Sequence, residues 1–145
     1  VLSDVLGEAD RRNFAAPPQM PEEASRQAKS TACSATDLAR ELSAKAIIVP
    51  TNTGETAGCI AALRLKPQIV AIPTLKTAGC LPLLWGVKIF RAKPQPRPDI
   101  NKLLDLCVKA ALSTKAAKRG DTIVAAFRLP YKCGEKASVV TAVKI

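Results

Sequence analysis

The chain has 145 residues, 48% hydrophobic and 23% charged, the balance of one folded domain rather than of a disordered segment. It contains no histidine, which removes the commonest general base and the commonest metal ligand, and 22 Lys and Arg against 12 Asp and Glu give a net charge of +10. No apolar run approaches the roughly 18 residues of a membrane span, so none is expected.

Val1–Phe14 reads as a short amphipathic helix with Leu2, Val5, Leu6 and Ala9 on one side, charged and unlike a secretory leader. Pro17, Pro18 and Pro21 make the next stretch an extended connector, which sets residues 1–21 apart from a main domain over 22–145. A long helix is expected from Pro21 to Leu42, with Glu22 and Glu23 in its first turn where the dipole favours anions. Ala24, Ala28, Thr31, Ala35, Leu38 and Leu42 form a narrow stripe of small or apolar residues on it, suited to close packing.

From Ala46 strands and helices alternate. Strands are expected at Ala46–Pro50, Ile69–Ile72, Val87–Phe90, Thr122–Phe127 and Ser138–Val143, with helices at Glu55–Leu65, Leu75–Leu84 and Asp99–Lys115. This alternation implies right-handed crossovers and a mainly parallel sheet. The last two strands are joined without a helix and are expected to be antiparallel. The fold class is a three-layer α/β sandwich with five strands.

Charge is uneven along the chain. Residues 1–45 hold six basic and seven acidic side chains, whereas residues 46–145 hold sixteen and five, a lobe of +11. Such a lobe suits an anionic partner: a phosphorylated metabolite, a nucleic acid or an acidic protein face. Nucleic acid is disfavoured because aromatics are only 3%, and Lys66, Lys76, Lys88 and Lys93 are scattered; most of the lysines read as solvating charge. Cys33, Cys59, Cys80, Cys107 and Cys133 lie 21 to 27 residues apart, an odd number without metal-knuckle spacing. They read as reduced thiols of a cytoplasmic protein.

No phosphate loop of the Walker type, G-x-G-x-x-G or histidine-activated nucleophile is present, and Asp99, Asp105, Asp121 and Glu135 are isolated. No catalytic or metal site is expected. Thr56-Ala-Gly-Cys59 recurs as Thr77-Ala-Gly-Cys80, best explained by small residues at two helix starts packing close to the sheet. One segment suits an anion. In Ile47–Ala57 a strand ends in a hydroxyl-rich turn and a helix start, where N–H groups and the helix dipole favour negative charge. Thr51, Asn52, Thr53 and Thr56 would add donors. The competing reading is that Thr53 caps the helix while Asn52 and Gly54 make the turn, and Glu55 places a like charge at the same helix end.

The blocks Ala44-Lys-Ala-Ile-Ile-Val-Pro-Thr-Asn-Thr-Gly-Glu-Thr-Ala57, Pro67-Gln-Ile-Val-Ala-Ile-Pro-Thr74, Leu84-Trp-Gly-Val87 and Arg119-Gly-Asp-Thr-Ile-Val124 resemble, in order and spacing, the C-terminal domain of pyruvate kinase. The resemblance covers Glu22 to Ile145. It implies a five-stranded α/β domain with an antiparallel last strand that does not catalyse, packs between subunits of a tetramer and, in many members, binds a sugar-phosphate effector. By position, the phosphate loop corresponds to Thr51, Asn52, Thr53, Gly54, Glu55 and Thr56. The effector loop corresponds to Arg128–Lys136, with Lys132 as its anion-binding candidate. Gly58 and Gly79 stand where the family usually has arginine, Leu65 where it has proline, and the effector loop keeps only Gly134 of a glycine-rich run. Magnesium and potassium belong to a catalytic barrel that these residues do not include, so no cofactor is expected in this chain. The resemblance thus implies a regulatory and oligomerisation domain of a pyruvate kinase, acting in glycolysis, with a partner catalytic domain or further copies of itself. Its contacts would come from the Ala24–Leu42 stripe and the C-terminal strand edge, unless that stripe only packs on its own sheet. The alternative is a stand-alone protein of the same fold binding a nucleotide or sugar phosphate.

Overall fold

The computed structural model describes residues 20–73, 86–93, 99–130 and 132–145; the helices expected at Val1–Phe14 and Leu75–Leu84 lie outside them. Helix α1 spans Arg26–Glu41, strand β1 Ala46–Thr51, helix α2 Glu55–Ala62, strand β2 Gln68–Pro73, strand β3 Val87–Ile89, helix α3 Ile100–Ser113, strand β4 Thr122–Pro130 and strand β5 Lys136–Lys144. They form one five-stranded sheet of order β3-β2-β1-β4-β5. β1 is parallel to β2 and β4, β2 is parallel to β3, and β4 is antiparallel to β5.

Period-two alternation assigns each strand residue to a face. Ile47 and Val49 of β1, Ile69 and Ala71 of β2, and Val124 and Ala126 of β4 pack with Ala28, Ala32, Ala35 and Ala39 of α1 and with Ala57 and Ile60 of α2. Ile48, Val70, Ile123, Ala125 and Phe127 pack on the opposite face with Leu103, Cys107, Ala110 and Ala111 of α3. β1 and β4 are therefore covered on both sides, which is why they read as unbroken apolar runs.

Two expectations for α1 change. Pro21, Glu22 and Glu23 precede the helix instead of opening it. Ser25 is the N-cap, its hydroxyl accepting the Ala28 N–H at 3.2 Å, and no acidic residue stands in the first turn. A hydroxyl that satisfies a first-turn donor outcompetes proline and glutamate, which cannot fill that position as well. The middle of the small-residue stripe packs on the chain's own sheet, with Ala28 and Ala35 at 0% exposure and Ala32, outside the expected stripe, buried beside them, while Leu42, its last expected member, is 47% exposed. β4 and β5 both run further than expected, so only residues 131–135 connect them.

Candidate functional site

The chain leaves β1 towards β2 and β3, then returns on the other side of β1 as β4. Strand order thus reverses at the β1–β4 crevice, the place where open α/β sheets bind ligands outside the carboxyl ends of their strands. α1 enters β1 and α2 leaves it on one face, so both helix N-termini point to this same end.

The loop after β1 is built by its own hydroxyls. Thr51 is 9% exposed, and its Oγ1 accepts the Gly54 N–H at 2.8 Å, closing the turn. Gly54 has φ 83°, where an L side chain costs about 1–2 kcal/mol, and it occupies the N-cap position of α2 without offering a side chain. Thr53, the cap expected from the sequence, reaches only the Glu55 N–H at 3.5 Å, a length that leaves little bonding. The first-turn amides of Thr56 and Ala57 accordingly have no side-chain acceptor. Asn52 and Thr53 are exposed, and Thr56 is half-buried.

Glu55 carries its carboxylate between the two helix N-termini, at this same end of the sheet. Its Oε2 accepts the Ser25 hydroxyl at 3.0 Å, so the carboxylate is drawn to the positive end of α1.

β4 carries a cation, Arg128, that the sequence placed only at the start of the effector loop. β1–β4 pairing ends at Ile48↔Ala125, and Arg128 lies three residues beyond it on β4, towards the strand ends where the loop after β1 begins. Alternation puts Arg128 on the α1/α2 face with Val124 and Ala126. Its partner across the antiparallel ladder is Ser138, whose Oγ accepts from Gln27 Nε2 at 2.8 Å. Arg128 Nε is buried with no hydrogen-bond partner, alone in this among the side-chain atoms of the described residues. Leaving such a donor unsatisfied costs about 1–3 kcal/mol, and more when it is charged. Lys132 is exposed in the turn Lys132–Gly134, four residues beyond Arg128 at the same end of the sheet. The available signal was the polar Arg128 continuing the β4 alternation, hidden because the strand was expected to stop at Phe127.

Among the described residues no group of three or more His, Cys, Asp or Glu is placed to hold a metal ion, and no helix is long and apolar enough to cross a membrane. Burial pushes the Cys107 thiol up to about 12 and also raises Cys59, against the opposing pull of Lys29. Neither is a nucleophile at neutral pH.

Comparison with known proteins agrees with this architecture. Pyruvate kinase from Staphylococcus saprophyticus is 34% identical over 99 residues, which cover 68% of this chain and 16% of that protein. Pyruvate kinase from Agrobacterium vitis is 29% identical over 136 residues, covering 90% of this chain and 28% of that protein. The solved structure of Cryptosporidium parvum pyruvate kinase in complex with ADP superposes with a TM-score of 0.71 at 23% identity, over 99% of this chain and 27% of that one, a likeness of fold. The chain thus spans well under a third of the length of the curated relatives it matches. The family model described as pyruvate kinase, alpha/beta domain, matches residues 29–141, from the first turn of α1 into β5, and the chain belongs to that family.

Proposed function

We propose that this chain is the non-catalytic regulatory and assembly domain of a cytoplasmic pyruvate kinase, and that its Thr51–Thr56 loop, with Arg128 and Lys132, binds the phosphate of a small phosphorylated effector. The observation that carries the reading is Arg128 Nε, buried without an acceptor near the C-terminal end of β4, the strand next to β1 at the strand-order reversal. A phosphate there would accept from the Thr56 and Ala57 amides, the Thr53 hydroxyl and the Arg128 guanidinium. Catalysis, with its magnesium and potassium ions, belongs in this reading to a barrel domain outside the 145 residues. Assembly draws on the outer edge of β5, which among the described residues pairs only with β4.

The test is calorimetric titration of fructose bisphosphate, ribose phosphate and AMP into wild type, Arg128→Met and Thr53→Ala/Thr56→Ala. Hydrogen bonds to a charged group contribute about 1.5–3 kcal/mol each, so each variant is expected to weaken binding at least tenfold. Binding that ignores both variants, or no binding of the three ligands at millimolar concentration, contradicts the reading.

A further inference from the structure

α2 opens with a carboxylate that does not cap its own helix. Glu55 is the first residue of α2, and that helix has no side-chain cap. The Thr56 and Ala57 N–H groups follow in the same first turn, where a negative group is favoured. Glu55 Oε2 instead accepts a hydrogen bond from Ser25 Oγ at 3.0 Å, 30 residues away in sequence and at the start of α1. We infer that Ser25 is a positioning residue for the phosphate site: it holds the Glu55 carboxylate at the start of α1 and so keeps the first-turn amides of α2 open to a phosphate. This role rests on the phosphate reading of the Thr51–Thr56 loop and adds to it the residue that sets access.

The Ser25 hydroxyl suits this task because it uses both of its functions. Its oxygen accepts the Ala28 N–H at 3.2 Å while its proton goes to Glu55. A side chain that caps α1 without a proton to donate would leave the carboxylate unheld. Released, that carboxylate has two amides without a side-chain acceptor one and two residues along its own helix. A phosphate competes for the same amides, and like charge at that range opposes it.

Arg128 supplies the second observation. Its Nε is buried with no hydrogen-bond partner, so Glu55, held by Ser25, does not satisfy it. The donor on which phosphate binding depends stays unfilled while the one carboxylate in the first turn of α2 is occupied elsewhere. Holding a competing group aside before a ligand arrives lowers the cost of binding.

The experiment compares wild type, Ser25→Ala, Ser25→Thr, Glu55→Gln and Ser25→Ala/Glu55→Gln, each shown to be folded by a thermal melt. Amide spectra of the ligand-free ¹⁵N-labelled proteins report where the carboxylate sits, and calorimetric titration with fructose bisphosphate reports the site. Ser25→Ala is expected to move the Thr56 and Ala57 N–H signals and to weaken binding about threefold or more, the scale of one partly exposed charge. Ser25→Thr keeps both the acceptor and the donor, and its binding should stay within about twofold of wild type. Glu55→Gln should tighten binding, and the double variant should bind as Glu55→Gln does. A loss in Ser25→Ala that persists undiminished in the double variant would come from the α1 cap and overturn the positioning role. Thr56 and Ala57 signals that stay in place in Ser25→Ala, beside intact wild-type binding, would overturn that role and leave the phosphate reading standing. Moved signals with no binding by any of the proteins at millimolar concentration would overturn the phosphate reading while supporting the hold of Ser25 on Glu55.

Discussion

Ser25 and Glu55 share one hydrogen-bond chain that locks two helix N-termini together: the Ser25 hydroxyl accepts the Ala28 N–H at 3.2 Å and donates to Glu55 Oε2 at 3.0 Å. One side chain caps α1 and turns the first carboxylate of α2 towards α1. Losing an N-cap hydroxyl costs about 1 kcal/mol, so Ser25→Ala is expected to lower the urea midpoint correspondingly. In a double-mutant cycle with Glu55→Gln, the two changes should couple by a few tenths of a kcal/mol, as expected for exposed groups in contact. Full additivity would mean that the contact contributes nothing.

All three α-helices among the described residues end on a non-glycine residue in the left-handed region: Ser43 at φ 50°, Arg64 at φ 48° and Lys115 at φ 58°. Each N–H closes back on the helix, Ser43 on Arg40 O, Arg64 on Ala61 O and Lys115 on Leu112 O. Glycine is the usual residue at this position because it has no Cβ to strain. Ser43→Gly and Lys115→Gly should each stabilise the domain by about 0.5–1 kcal/mol in denaturant unfolding, a gain absent if these turns relax to negative φ.

Ala35 is fully buried between α1 and the sheet. Enlarging a side chain in so close a packing typically costs about 1–3 kcal/mol. Ala35→Leu should therefore lower the melting temperature sharply without changing the oligomeric state by light scattering. Dissociation without a stability loss would instead make the stripe an intersubunit surface.

The strand pattern was legible because β1, β2 and β4 are short β-branched runs covered on both faces, and parallel pairing followed from the helices between them. Helix starts were less so: Ser25 outranked the acidic pair before it because a cap hydroxyl is a local bond, while a charge on a dipole is diffuse. The Thr51–Thr56 loop was visible as a strand end rich in hydroxyls. Arg128 was not, because its position depends on how far β4 extends and on a register set by three elements distant in sequence.

Cys107 gives the fold a definite alkaline limit. Burial holds its thiol protonated up to about 12, above the ordinary 9.0. In the unfolded chain the same thiol ionises near its ordinary value, so its contribution is intact below pH 9 and is lost as the pH rises towards 12. The slope approaches about 1.4 kcal/mol per pH unit per thiol. Cys59, also raised by burial, adds to the same fall. Urea unfolding between pH 8 and 11 should show this decline, with a shallower slope in Cys107→Ala. At pH 7.5, thiol labelling read by mass should modify the exposed Cys33 and Cys133 well before Cys59 and Cys107.

The phosphate site at the β1–β4 end is tested most directly by amide chemical shifts in ¹⁵N-labelled protein titrated with fructose bisphosphate. The Thr56 and Ala57 N–H signals should move downfield and the Arg128 Nε–H signal should sharpen and shift, saturating together. In Arg128→Met the same amides should respond only at a ligand concentration at least tenfold higher. Shifts confined to other parts of the sheet, or amides 51–57 that stay in place at saturating ligand, would contradict the account.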